Sequence, residues 1–156
     1  MEIKDSGNRT AFSSGAVRDM HEGKGRCDLL PMEVVARLLS DSTFMHISEF
    51  QQTGNVSCLL VAIRFSGVFD DDCTMCLETA KHFEDGAKKY GDNNWQKGIP
   101  VSSYIDSGIR HYLKFRRGDQ DEPHDRAFVW NLMCAAWTCI NKPEFNDYAK
   151  EDKAND

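Results

Sequence analysis

The apolar positions of this chain recur every three or four residues over most of its length, which is the spacing of helices that bury one face. This pattern predicts helices at about residues 31–41, 44–51, 58–65, 72–90, 103–115 and 123–140. The segment 58–65 is apolar without alternation, so a buried strand is also compatible with it, but no other stretch predicts a convincing strand. We therefore predict an all-α fold, a single-domain helical bundle.

The longest predicted helix follows three consecutive aspartates at residues 70–72, which can cap a first turn and favour its dipole. Gly91 is placed to end this helix in a left-handed turn, just after two lysines. The expected buried face of the helix consists of Cys76, Ala80, Phe83, Ala87 and Tyr90.

Both ends of the chain differ from this helical body. Residues 1–13 are polar and predict an irregular arm, and the glycines and alternating charges of 14–28 indicate no regular structure. The main domain is expected to span residues 14–142, where the helices lie. A polar tail is predicted at 143–156.

Composition narrows the possible partners. The 156 residues are 40% apolar and carry a formal net charge of −6, which suits one globular domain and argues against nucleic acid or an anionic membrane. The chain has neither a membrane-length apolar run nor a signal-peptide core, so we expect it in the cytoplasm. The six cysteines are then expected to be reduced and buried for structural reasons, rather than to form a zinc site.

Two segments suggest a ligand. The loop after the fourth helix places Asn94 beside Trp95, and loops that keep an aromatic residue next to amides usually hold something, although Trp95 could simply cover a helix end. Near the N-terminus, Arg18, Lys24 and Arg26 alternate with glycines that let backbone amides approach a phosphate. A flexible lead-in is the alternative for this second segment.

Polar residues also interrupt the apolar helices. Asn131 lies in an apolar stretch, so it must be hydrogen-bonded to another helix or to a ligand. His124 projects from the same side two turns earlier, and Arg110 with His111 adds a cation and a possible ligand or acid. Glu78 and Asp106 are the acidic candidates for Mg²⁺, although each could be a solvated charge. Kinase, esterase and dinucleotide-binding motifs are missing from the sequence.

Several motifs follow one another in a recognisable order. They are Ser-Gly-Ala-Val-Arg-Asp at 14–19, Gly-Lys-Gly-Arg at 23–26, Asp-Leu-Leu-Pro at 28–31, His-Phe-Glu-Asp-Gly-Ala-Lys-Lys-Tyr-Gly at 82–91, Asn-Trp-Gln-Lys-Gly at 94–98, Asp-Ser-Gly-Ile-Arg-His at 106–111, Gly-Asp at 118–119, His124, and Trp-Asn at 130–131. This order resembles a phage and prophage family of dATP/dGTP diphosphohydrolase N-terminal domains, related to MazG-like all-α nucleotide pyrophosphohydrolases. Relative to shorter members, about residues 41–79 are expected to be an insertion.

The resemblance implies a Mg²⁺-dependent hydrolase, with Mn²⁺ as a possible substitute, that cleaves dGTP or dATP to the monophosphate and pyrophosphate. It implies a homodimer or homotetramer. Glu78 and Asp106 would bind the metal and act in catalysis with His111 and His124. Substrate would be bound by Arg18, Lys24, Arg26, Lys88, Lys89, Tyr90, Asn94, Trp95, Arg110, Lys114 and Asn131.

The paired acidic motifs of MazG proteins do not occur in plain form, and His124 and Asn131 stand where acids would be expected. Two alternatives therefore accompany the enzyme hypothesis. One is a non-catalytic protein that sequesters a host nucleotide or nucleotide signal. The other is a structural interaction protein that binds no nucleotide.

Overall fold

The computed structural model describes residues 1–149 and confirms an all-α, single-domain fold. Six helices account for most of this part of the chain: α1 Met32–Leu39, α2 Ser42–Thr53, α3 Val56–Ser66, α4 Asp72–Tyr90, α5 Val101–Arg117 and α6 His124–Asn141. Three 3₁₀ turns lie at Cys27–Leu29, Asn94–Gln96 and Pro143–Phe145. Two short strands, β1 Arg9–Ala11 and β2 Val17–Asp19, precede the helices.

Local chemistry sets several of the helix boundaries. The side chain of Asp41 accepts a hydrogen bond from the amide of Thr43 at the start of α2, and Asp71 does the same for Thr74 at the start of α4. Such caps satisfy an amide that lacks a helical partner and contribute about 1 kcal/mol each. Gly54 ends α2 in the left-handed region at φ 68°, a conformation that costs glycine little.

The long helices α5 and α6 pack along each other at the centre, and α3 and α4 lie against α6. Gly108 makes the close approach of the central pair possible, because a Cβ at this position would lie 2.7 Å from Leu132 Cδ1. The largest fully buried side chains around this pair include Tyr104, Phe44 and Phe128. This packing fixes the relative position of the polar residues on α4, α5 and α6.

The N-terminal segment departs from the expectation of irregular structure. Strands β1 and β2 pair antiparallel, with Arg9 opposite Asp19 and Ala11 opposite Val17. The turn between them contains Gly15 at φ 89°, and Ala16 is fully buried against the helical core. Three-residue strands have little sequence signal of their own, so contacts with the helices decide this structure.

The buried face of α4 also differs from the predicted one. Thr79 and His82 are the buried residues of this helix, whereas Cys76 and Ala80 are exposed. Polar residues occupy part of the surface of α4 that contacts the other helices. The prediction from apolar spacing therefore placed the buried face one residue too far towards the C-terminus. All six cysteines are free, but Cys73 and Cys76 are exposed rather than buried.

Part of the predicted polar tail packs against the domain. The ring of Phe145 lies over Gly98, and Tyr148 contacts Phe50 with 5.5 Å between ring centroids. Residues 150–156, the rest of that tail, lie outside the described residues.

Candidate active site

A cavity of about 770 Å³ opens between the hairpin, the end of α4 with its following loop, and helices α5 and α6. Most of the predicted site residues line it: Arg18, Lys24, Lys89, Tyr90, Asn94, Trp95, Arg110, His111, Lys114 and Asn131. Cations outnumber carboxylates on its wall, with Lys4, Arg18, Lys24, Lys89, Arg110 and Lys114 against Asp5, Asp19, Asp92 and Glu122. A cationic cavity in a chain of net charge −6 favours an anionic ligand.

Arg18 is the most unusual residue of this cavity. Its guanidinium carbon lies 5.0 Å from the ring centroid of Tyr104 and 5.6 Å from that of Trp130. Its Nη1 atom is buried without a hydrogen-bond partner, and no carboxylate in residues 1–149 forms an ion pair with Arg18. Burial lowers the pKa of this guanidinium. Arg18 as a whole is partly buried, but a guanidinium with a buried, unpartnered Nη1 atom and no counter-ion in the described residues indicates a place for an anion.

Asn131 holds Arg18 in this position. The Oδ1 atom of Asn131 accepts a 2.8 Å hydrogen bond from Nη2 of Arg18, and its Nδ2 atom donates to the carbonyl of Ala127 at 2.8 Å. Only 2% of Asn131 is exposed. The sequence required a partner for this asparagine, and the structure identifies Arg18 on the hairpin as that partner. Asn131 therefore positions the arginine that faces the cavity.

Further buried polar atoms on the cavity wall lack partners. They include Nε1 of Trp130, Nδ1 of His82 and Nε of Arg110. Buried polar atoms are rarely left unsatisfied in folded proteins, so ordered water or a polar ligand is expected to bind these atoms. His82 and Trp130 were not among the predicted site residues, although both occur in the sequence motifs described above.

His82 is neutral at physiological pH. Burial, followed by the charges of Arg126 and Arg18, lowers its pKa to about 3. Its ring lies 5.3 Å from that of Trp130, centroid to centroid. A neutral imidazole can accept or donate a hydrogen bond, so His82 can pair with a polar ligand atom without adding charge to the cavity.

The Trp95 loop supports the cavity wall. Asn94 uses its side-chain amide on the backbone of Val17, accepting from the amide at 2.9 Å and donating to the carbonyl at 2.7 Å. Trp95 contacts the rings of Phe83 and Trp137 edge-on, with centroids 5.2 and 5.0 Å apart. Both residues line the cavity, and Asn94 also fixes the hairpin that carries Arg18.

The lysines at the cavity have different surroundings. Lys24 forms an ion pair with Asp19 at 3.1 Å, and Lys89 donates to the carbonyl of Lys4 at 2.6 Å. Burial lowers the pKa of Lys89, which also lies over the ring of Tyr90. Lys114 forms no ion pair with any residue from 1 to 149. A phosphate could therefore bind Lys114 without displacing a carboxylate from it.

Two predicted phosphate-binding residues lie outside the cavity wall. Arg26 is held by Asp28, with Nη2 and Oδ2 2.7 Å apart. Lys88 is exposed and lies 3.9 Å from a carboxylate oxygen of Glu84. Neither side chain lines the cavity in this structure.

The predicted acidic pair is not brought together at the cavity. Asp106 accepts hydrogen bonds from the amide of Cys27 at 2.6 Å and from Nη2 of Arg110 at 2.8 Å. Burial opposes its ionisation, but hydrogen bonds from His21 and Arg110 outweigh this and hold its pKa well below the ordinary value. Glu78 is bound by Lys81 at 2.6 Å and does not line the cavity.

The two predicted catalytic histidines are in direct contact. The Nδ1 atoms of His111 on α5 and His124 on α6 lie 2.9 Å apart, and Nε2 of His124 lies 2.7 Å from Oδ1 of Asp121. His111 and Glu122 line the cavity, whereas His124 is 2% exposed and is not part of the cavity wall. Sequence spacing within one helix could not show this contact, because the two histidines belong to different helices.

The fold and the cavity define a class: an all-α protein with a cationic, aromatic-walled cavity that favours an anionic ligand. Residues 53–148 match the model of the family described as dATP/dGTP diphosphohydrolase, N-terminal. The chain belongs to this family, which confirms its resemblance to dATP/dGTP diphosphohydrolase N-terminal domains. No curated protein and no solved structure matched the chain.

The range of residues that the family model matches bears on the expected insertion and on the N-terminal part of the site. The matched range includes residues 53–79, most of the segment that was expected to be an insertion. It does not include the hairpin with Arg18 or the segment after it with Lys24, so this part of the site is known from the structure rather than from the match. Within residues 1–149, every helix is too short or too polar to cross a membrane.

Proposed function

We propose that this chain hydrolyses a purine deoxynucleoside triphosphate, dATP or dGTP, between the α and β phosphates to give the monophosphate and pyrophosphate. The description of its family names a diphosphohydrolase of these nucleotides. The observation that carries the proposal is the buried, unpaired Nη1 atom of Arg18 on the wall of a cationic cavity. A phosphate oxygen would supply the missing acceptor and the missing negative charge together.

The remaining wall residues suit the rest of such a ligand. Arg110 and Lys114 provide further positive charge on α5 for a triphosphate. Phe83, Trp95 and Trp130 provide aromatic surface for a purine ring. The volume of about 770 Å³ falls within the range of small-molecule sites, roughly 300–1,000 Å³.

The proposal includes a requirement for Mg²⁺ or Mn²⁺, which would neutralise phosphate charge and orient a water molecule. The predicted ligands Glu78 and Asp106 do not fit this role in the structure, because each is bound by a cation and Glu78 lies off the cavity wall. Among residues 1–149, neither carboxylate belongs to a group of side chains that could share an ion. The roles assigned to this chain are therefore binding and orientation of the nucleotide by the cavity residues.

One assay tests the enzyme against its alternative. The protein is incubated with each of the eight common NTPs and dNTPs plus Mg²⁺, and the products are separated while binding is measured in parallel. We expect dATP or dGTP to yield the monophosphate and pyrophosphate. Stoichiometric binding without turnover would instead support a protein that sequesters a nucleotide. Absence of both would contradict the proposal and leave the structural interaction protein.

A substitution tests the observation on which the proposal rests. Arg18→Met should weaken nucleotide binding by about 10- to 100-fold, because a charged hydrogen bond contributes roughly 1.5–3 kcal/mol. Arg64→Met is the matched control, since Arg64 is exposed on α3 and pairs with Asp72. Equal affinities of the two variants would remove Arg18 from the binding site.

A homodimer or homotetramer is the second part of the proposal. Several large apolar side chains are more than half exposed, which is compatible with a covered surface in an oligomer: Val34, Leu38, Leu60, Phe65, Leu77 and Ile140. Light scattering coupled to size-exclusion chromatography measures the molar mass, and a monomer at all concentrations would refute this part.

A further inference from the structure

We propose that His111, Glu122 and His124 form a binding site for a divalent transition-metal ion, with Zn²⁺ as the best match to these ligands. The potential ligand atoms of the three side chains lie within 4.8 Å of one another. Two imidazoles and one carboxylate form a donor set typical of zinc sites that keep one position open. This site differs from the Glu78 and Asp106 pair that the sequence suggested.

The ion would lie between His111 and His124, where the two rings form a hydrogen bond in this structure. The two Nδ1 atoms are 2.9 Å apart. A tetrahedral zinc ion with Zn–N bonds of about 2.0–2.1 Å separates its nitrogen ligands by about 3.3 Å. The rings therefore need to move apart by only a few tenths of an ångström to hold a metal in place of the shared proton.

Asp121 supplies an orienting partner for one of the ligands. Its Oδ1 atom lies 2.7 Å from Nε2 of His124. A carboxylate only accepts hydrogen bonds, so Nε2 carries the proton and Nδ1 keeps the lone pair that a metal requires. A carboxylate behind a metal-bound histidine is the usual arrangement in zinc proteins and increases the basicity of the ligand.

The charges around the site are compatible with a cation. Asp119 and Asp121 form a second possible group with His124, and Glu122 adds a further negative charge. Lys4 is the competing cation, because its Nζ atom binds Asp121 Oδ2 at 2.6 Å and its amide binds Glu122 Oε1 at 2.9 Å. These contacts leave Nδ1 of His124 and the second oxygen of Glu122 for the metal.

The position of the site connects it with the cavity. His111 and Glu122 belong to the cavity wall, and the buried His124 is the first residue of α6. With three protein ligands, two of them from cavity-wall residues, a tetrahedral ion would keep a fourth position for a water molecule or a ligand oxygen. The inference does not depend on the proposed hydrolase, because a metal can be titrated in the absence of nucleotide.

Cobalt and zinc titrations test the site directly. The full chain, carrying Cys73→Ser and Cys76→Ser to remove an exposed pair of thiols, is stripped with a chelator and titrated with Co²⁺. We expect visible ligand-field bands that saturate at one equivalent, without sulfur-to-cobalt charge-transfer absorption, and displacement of Co²⁺ by Zn²⁺. Absence of these bands, or a spectrum dominated by sulfur ligation, would overturn the proposal.

Substitutions locate the ion. His111→Ala and Glu122→Gln should each weaken metal binding by at least tenfold, and Asp121→Asn should weaken it by about 10- to 100-fold as an orienting partner. The controls are His46→Ala on α2 and Glu84→Gln on α4, which lie outside this group of ligands. Circular dichroism and the melting temperature of the metal-free variants show whether each one is folded.

Wild-type affinity in folded His111→Ala and Glu122→Gln would place the ion elsewhere and refute the site. If His111→Ala fails to fold, Glu122→Gln and Asp121→Asn still decide the question, because the carboxylates retain their shape as amides. Nucleotide binding measured on the same proteins separates the two proposals. A variant that loses metal binding but still binds nucleotide would not contradict the proposed function. A variant that loses nucleotide binding but still binds metal would not contradict the metal site.

Discussion

The buried His82 should make the stability of this protein depend on pH in a defined range. In the folded protein the pKa of His82 is lowered to about 3, mainly by burial, from an ordinary value of 6.5. Between these values the unfolded chain binds a proton on this histidine that the folded protein does not bind. The free energy of unfolding must therefore fall as the pH drops below about 6.5, and this contribution continues to fall until about pH 3.

The size of the effect follows from the two pKa values. At pH 5 the solution is about 1.5 pH units below the pKa of His82 in the unfolded chain. Each of these units favours the protonated, unfolded chain by about 1.36 kcal/mol. His82 should therefore cost the folded state about 2 kcal/mol at pH 5 relative to pH 7.5. The side chain is only 8% exposed, so solvent does not screen most of this cost.

Urea unfolding at pH 7.5 and pH 5.0 measures the effect. The wild type should lose about 2 kcal/mol more than His82→Gln between the two pH values, because glutamine keeps a polar side chain but does not titrate. Contributions of groups that do not interact with His82 are common to both proteins and cancel in the comparison. A His82→Gln variant with the same loss as the wild type would refute the reasoning.

Four further substitutions test other parts of the structure. Asn131→Leu removes the hydrogen-bond acceptor of Arg18 and should lower the unfolding free energy by about 1–3 kcal/mol in the absence of nucleotide. An unchanged value would show that water or a ligand, not Asn131, accepts the hydrogen bond of Arg18. Gly98→Ala places a Cβ 2.4 Å from the Phe145 ring at a residue with φ 117°, so it should destabilise the protein by about 1–3 kcal/mol. Gly86→Ala is the matched control: its Cβ meets open space on α4, so the substitution should raise the melting temperature. Asp106→Asn leaves the partly buried Arg110 with a weaker partner and should cost about 1.5–3 kcal/mol of stability, measured by urea unfolding. Full stability with lost activity would return Asp106 to a catalytic role.

The positions of the helices were predictable because their signals are local. Apolar spacing marked all six helices, and the aspartates at 70–72 marked the start of α4, which Asp71 caps. Periodicity failed for the buried face of α4, since Thr79 and His82 are polar and the rule assigns polar residues to the surface. The hairpin was missed because its strands are three residues long and depend on Asn94 and the helical core.

The sequence by itself determined the all-α fold class. It also indicated several candidate ligand-binding residues, among them Arg18, Lys24 and Asn131, because charged and amide side chains are easy to recognise in apolar or glycine-rich stretches of sequence. Only the tertiary structure decided which of these residues meet. It placed Arg18 against Asn131, bound Asp106 to Arg110, and brought His111 and His124 into contact. These pairings depend on the register and angle between packed helices and on where the hairpin lies, and such geometry is set by the whole core rather than by the spacing of residues along one helix.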